Sequence, residues 1–216
     1  MDLTPEQQSA VDASMSRPLV LVTGGPGTGK TTCLREMIAA NVRARDRVLC
    51  LAPTGKAASR ITEQTDYPAS TIHRGLRWNQ GMRCFEYTRD NPLPADLVIV
   101  DECSMLDTTI ASRLFAAIRP DTRVVLVGDK DQLEPVGPGA VFAESLTLPD
   151  ACVVTLRRPF RQTAGSPIHE AARLILALHA LRILVQVVQL VLALPVDKGM
   201  YPPAIEAFPI ILGQSG

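Results

Sequence analysis

Short apolar runs and longer helical stretches take turns along this chain. Residues 19–23 (LVLVT) form a β-branched run that leads into glycines; 48–52 (VLCLA), 97–101 (LVIVD) and 123–128 (RVVLVG) repeat the pattern, and 152–155 (CVVT) is a candidate fifth. An uninterrupted apolar run is what a strand needs when both faces of its sheet are covered. Helical stretches follow at 30–44, 55–64 and 108–117. Strand and helix in alternation predict an α/β fold, a parallel sheet with helices on both faces. Ligands in such sheets gather at the carboxyl ends of the strands, and the conspicuous polar motifs of this sequence all fall there.

Two regions depart from the rhythm. Residues 78–94 (WNQGMRCFEYTRDNPLP) are rich in turn formers and place Phe85 and Tyr87 at alternate positions, which predicts a short β-hairpin. Residues 174–194 (LILALHALRILVQVVQLVLAL) are apolar on every side except a narrow stripe of His179, Arg182, Gln186 and Gln189. The run is long enough to span a bilayer. Arg182 near its middle would cost about 2.5–3.5 kcal/mol on insertion, and nothing else in the chain points to a membrane. A helix packed on the domain or on a partner is the preferred expectation, with a truncated or frame-shifted gene end as the alternative. The proline-rich stretch 196–216 is not expected to form a domain.

Composition narrows this picture only a little. Lys+Arg and Asp+Glu both number 22, for a formal net charge of zero, so any basic surface must be local. Five scattered cysteines (Cys33, Cys50, Cys84, Cys103, Cys152) show no C-x-x-C pair and no metal-ligand spacing, as expected of thiols serving as small core residues in a reducing compartment. The N-terminus carries neither a basic segment nor an apolar one, so it does not read as a secretory signal, and the cytoplasm is the default expectation.

The chemistry is concentrated in three segments. Gly24, Gly25, Pro26, Gly27, Thr28, Gly29, Lys30 and Thr31 match G-x-x-x-x-G-K-[ST] between an apolar strand and a helix. Glycines there let the backbone turn tightly and aim its N–H groups at phosphate oxygens. Lys30 would meet the β- and γ-phosphates of ATP, the helix N-terminus would add its dipole, and Thr31 would place its hydroxyl on Mg²⁺. The strand 97–101 then runs into Asp101 and Glu102; Asp101 would hold Mg²⁺ through water, and Glu102 would orient and activate the attacking water. Past the next strand, Gln132 is placed to bond the γ-phosphate and register its loss. Together these predict hydrolysis of a nucleoside triphosphate rather than binding alone.

The segments LTPEQ (3–7), GGPGTGKTT (24–32), LAPTGKAASRI (51–61), STIHRGL (70–76), NPLPADLVIVDECSMLD (91–107), LVGDKDQLEPVGPG (126–139) and FRQ (160–162) resemble, in order, the first RecA-like domain of RecD-family superfamily 1 helicases. The resemblance covers residues 1–173 and implies a RecA-like P-loop NTPase fold with ATP and Mg²⁺ as cofactors. It implies that Gln7 reads the adenine edge, that Thr32 joins the phosphate loop, and that Gln132 is the γ-phosphate sensor. Arg161 would stabilise charge on the transferring phosphate. Pro53, Thr54, Thr71 and His73 match positions that touch the backbone of single-stranded DNA. Residues 78–94 lie where the family inserts a strand-separating hairpin, so Phe85 or Tyr87 would stack on a base; an ordinary connecting hairpin covering the core edge is the alternative. Lys130 and Glu134 stand where the family often has proline. A complete motor of this kind needs a second RecA-like domain, or helicase–nuclease subunits, and no second strand–helix series follows residue 173.

Overall fold

Six strands form one parallel sheet: β1 (Leu19–Thr23), β2 (Val48–Ala52), β3 (Ala69–Thr71), β6 (Leu97–Val100), β7 (Arg123–Gly128) and β8 (Cys152–Thr155), in the order β3-β2-β6-β7-β1-β8. The computed structural model describes residues 3–133 and 135–157. Arg161, Glu134, the 174–194 run and the 196–216 stretch lie outside the described residues. All five runs expected to be strands are strands, and every pairing within this sheet is parallel.

The sheet is covered on both faces, which is why its strands read as solid apolar runs. Side chains still alternate. Val20, Val22, Leu97, Ile99, Val125 and Val127 enter one core with α1 (Pro5–Ser16), α2 (Lys30–Arg43) and α3 (Gly55–Thr65). Leu21, Val98, Val100, Val124 and Leu126 enter the other, against α4 (Ile72–Gly75), α5 (Thr108–Ala116) and α6 (Val141–Ser145). Burying each such side chain contributes roughly 1.5–3 kcal/mol. Helices α2, α3 and α5 end within one residue of the expected bounds.

Helix α1, strand β3 and helix α6 had no counterpart in the apolar pattern. For α1 a different signal was present: Thr4-Pro5-Glu6-Gln7 is a capping box with proline at the first turn, and both reciprocal bonds form. β3 has three residues and α6 five, too short for periodicity to register.

The expected hairpin exists as β4 (Trp78–Asn79) paired antiparallel with β5 (Cys84–Phe85). Phe85 and Tyr87 are half-buried against the second core, in keeping with the alternative that its aromatics cover the core edge. Cys33, Cys50 and Cys103 are buried; burial pushes the thiols of Cys33 and Cys50 up to about 12. Cys84 is exposed, against the expectation of a core thiol, because it sits on the hairpin. Among the described residues no helix is long and apolar enough to cross a membrane.

At the amino end of β7 a polar network locks the sheet to its helices. Arg123 donates to Ser14 O at 2.6 Å, to Asn41 Oδ1 at 2.9 Å and to Asp46 Oδ2 at 2.6 Å, and Asn41 also donates to Ser14 Oγ at 3.0 Å. The guanidinium thus joins α1, α2 and the loop before β2. Removing it strands Asp46 and Asn41 in a mostly buried site. Arg123→Ala is therefore expected to lower unfolding free energy by about 2–4 kcal/mol, read as a fall in the urea midpoint.

Candidate functional site

The loop from β1 to α2 curls around Lys30. Its amine donates to the carbonyl oxygens of Gly24 and Gly25. Thr28, buried, donates from its hydroxyl to Gly25 O at 2.9 Å and pins the loop from within. A Cβ on Gly24 would come within 2.6 Å of Thr28 Oγ1 and 3.0 Å of Leu156 O, so only glycine fits there. Gly29, the N-cap of α2, has φ 86°, the left-handed region that glycine enters at no steric cost. Thr31 and Thr32 stand half-buried in the first turn of α2, and Pro26 is exposed at the tip. Lys30 and the N–H groups of that first turn, which no helix carbonyl can accept from, put positive charge at one loop and suit it to phosphate.

The strand order sets what faces this loop. β7 lies between β1 and β6, so the 129–132 loop sits between the phosphate loop and the Asp101–Glu102 pair. The three are stitched together. Gly24 N–H donates to Gly128 O at 3.3 Å, and Lys130 N–H donates to Thr23 Oγ1 at 3.2 Å. Ser104, buried just past Glu102, donates to Asp129 O and accepts from Asp129 N–H, both at 2.9 Å. Ser104 and Thr23 thus position the site, and the sequence pattern did not single them out. Gln132 is exposed on this loop, its N–H donating to Asp129 O at 3.2 Å.

Asp101 terminates β6, where its N–H donates to Leu51 O at 3.0 Å. Burial raises its carboxyl from 3.8 to about 6 and nearby Glu102 adds to this, while the Glu102 N–H bond and the charges of Lys30 and Arg60 pull it down. Glu102 has φ 55°, an uncommon left-handed conformation for a non-glycine residue. It turns the chain into a single 3₁₀ turn at Cys103–Met105. A desolvated carboxylate beside a second acid, within electrostatic reach of the phosphate-loop lysine, is a donor set that fits a small divalent cation.

Gln7 reaches the same region from α1. It is buried; its Oε1 accepts from Thr4 N–H at 3.0 Å and its Nε2 donates to Gly29 O at 3.3 Å. The four residues expected on DNA meet at the neighbouring corner. Thr71 ends β3 in register with Ala52 of β2, and Pro53 and Thr54 follow Ala52 directly. Thr54 caps α3, accepting from Ala57 N–H at 3.3 Å; Thr71 caps α4, accepting from Arg74 N–H at 3.2 Å. His73 is exposed, its ring centroid 5.7 Å from that of Phe85.

Residues 7–138 match the AAA domain family, more than half of the chain. The chain belongs to this family. As an AAA domain of the RecD-like type, it is 42% identical over 171 residues to the ATP-dependent RecD2 DNA helicase of Deinococcus radiodurans, covering 79% of this chain and 23% of that protein. It is 42% identical over 164 residues to the RecBCD enzyme subunit RecD of Mycolicibacterium smegmatis, covering 64% of this chain and 29% of that one. The chain thus spans between a fifth and a third of the length of these relatives. Among solved structures it is similar to Bacteroides Pif1 in complex with ADP-AlF4 (TM-score 0.53, 26% identity, 76% of this chain and 44% of that chain). It is likewise similar to Bacteroides Pif1 bound to single-stranded DNA (TM-score 0.52, 26% identity, the same coverage). Both likenesses accord with the RecA-like α/β fold, and nucleotide use follows from the family.

Two outcomes test the geometry of this AAA domain. The raised Asp101 carboxyl favours the folded state while it is protonated, and that contribution is lost as pH rises from about 4 through about 6. Asp101→Asn, free of the buried charge, should therefore match the parent near pH 4 and exceed it by up to about 3 kcal/mol above pH 7, read by urea denaturation across pH. Ser104→Ala leaves Asp129 N–H without its partner and Asp129 O with the Gln132 N–H alone, and should cost about 1–3 kcal/mol in the same assay.

Proposed function

We propose that this chain is the ATP-binding and ATP-hydrolysing half of a RecD-type DNA helicase motor. The observation that carries the reading is the adjacency of three strand ends, those of β1, β7 and β6, along the carboxyl edge of the sheet, with the Pro53–Thr54 and Thr71–His73 corner one strand beyond Asp101. The phosphate loop and Lys30 bind the β- and γ-phosphates of ATP; Thr31 and Asp101 would hold Mg²⁺, which would supply positive charge against that developing on the β- and γ-phosphates. Glu102 orients water for in-line attack and accepts its proton. Gln132 bonds the γ-phosphate, and Arg161 is assigned the stabilisation of charge on it. Gln7 is assigned to adenine, which requires that it give up its bond to Thr4 N–H or to Gly29 O in favour of the base.

Single-stranded DNA is the proposed partner, its backbone running over Pro53, Thr54, Thr71 and His73. A second RecA-like domain, or helicase–nuclease subunits, would close the crevice and turn closure into a step along the strand. The second reading is a module that binds ATP or DNA and needs a second domain or partner for turnover.

ATP hydrolysis by the purified chain, with and without single-stranded DNA and beside Lys30→Ala, separates the two. The motor reading expects DNA-stimulated turnover that falls at least about 100-fold on substitution, the scale seen when a preorganised charge on a reacting group is removed. Nucleotide binding without turnover would favour the module.

A further inference from the structure

Away from the phosphate crevice lies a cavity of about 510 Å³, between the β4–β5 hairpin and α5. That volume falls in the range of roughly 300–1,000 Å³ typical of small-molecule sites. We propose that it receives an unstacked base of single-stranded DNA, held between the hairpin aromatics and α5, with Arg83 and Arg113 meeting the flanking phosphates. The proposal rests on the DNA reading above and adds a site to it.

Three features carry it. The hairpin wall is aromatic and already ordered. Trp78 packs on Phe85 with centroids 4.7 Å apart and planes tilted by 57°, Phe85 meets His73 at 5.7 Å, and Tyr87 completes the wall with the Arg77 guanidinium 5.2 Å from its centroid. Phe85 and Tyr87 are anchored in the core, yet Trp78 keeps 42% of its surface exposed. An exposed indole at the mouth of a cavity offers a face that any base can stack on. Such a contact needs no base-edge partner and so tolerates any sequence.

Charge supplies the second feature. Arg83 and Arg113 line the cavity and make no ion pair among the described residues. The carboxylate of Asp107, also in the wall, is committed to capping α5, accepting from Ile110 N–H at 2.9 Å. The cavity thus combines aromatic faces with two guanidinium groups against one carboxylate, a net positive charge beside stacking faces of the kind that single-stranded nucleic acid recognises. An apolar peptide would leave both arginines without partners. Continuity is the third feature: His73 belongs both to this cavity and to the corner where the DNA backbone is proposed to run. A base turned out of that track at His73 enters the cavity directly.

The test exploits a property of the sequence. Trp78 is the chain's single tryptophan, so intrinsic tryptophan emission reports on this cavity alone. The full 216-residue chain is titrated with an oligothymidylate and with an abasic oligonucleotide of the same length. Binding is followed by anisotropy of end-labelled strands, and Trp78 emission with unlabelled ones. The expected result is quenching by oligothymidylate with the same midpoint as the anisotropy, and abasic DNA that binds about tenfold more weakly without quenching. Trp78→Ala and Arg113→Ala should each weaken oligothymidylate binding several-fold, and Trp78→Tyr should restore most of the first loss. Binding by anisotropy with unchanged emission and equal affinity for abasic DNA would overturn the cavity while leaving the DNA track in place. No binding of either oligonucleotide would overturn both.

Discussion

Everything in this domain depends on the pairing of β1 with β7 deep in the sheet. Val20, Leu21 and Val22 are fully buried, as are Val125, Leu126 and Val127, and the five-residue register runs from Leu19–Val124 to Thr23–Gly128. A pair covered on both faces leaves its polar chemistry one place to go, the carboxyl edge. There the ladder continues as two loop contacts, Gly24 N–H to Gly128 O and Lys130 N–H to Thr23 Oγ1. The phosphate loop is therefore bonded to the loop carrying Gln132, and the rigidity of the core is passed to the groups expected to face a nucleotide.

From that edge, order spreads sideways by single bonds. Ser104 holds the turn after Glu102 to Asp129, and Asp101 N–H reaches back to Leu51 O on β2. β2 then leads into Pro53 and Thr54. A displacement at Asp101 has only one strand spacing, about 4.8 Å, to cross before it arrives at the corner proposed for DNA. Such contiguity makes coupling between a nucleotide and a strand physically short, with no long relay to invoke.

Much of this was legible in the sequence because burial on both faces leaves an unmistakable record. LVLVT, VLCLA, LVIV and RVVLVG had few other structures available to them, and the glycines and acids that followed marked the edge. What escaped did so for physical reasons. β3 is three residues of Ala, Ser and Thr, half-buried at the sheet's end, and exposes no apolar run. α1 declares itself through its cap rather than its periodicity. Ser104 is one serine among many by composition; its importance comes from Asp129, distant in sequence and adjacent only once β6 and β7 pair. Gln7 shows the converse, a residue whose family position suggested a base contact while its amide is occupied at both ends.

The two capping threonines have a consequence of their own. A hydroxyl can both give and receive a hydrogen bond, but Thr54 and Thr71 each receive one from the helix they start, at Ala57 and Arg74. With a lone pair so engaged, each retains its proton, and neither donates it among the described residues. The cap makes the side chain polarised and nearly immobile, a small fixed donor at the end of each of two adjacent strands. Such a pair is suited to a ligand that presents a row of acceptors, whatever lies between them.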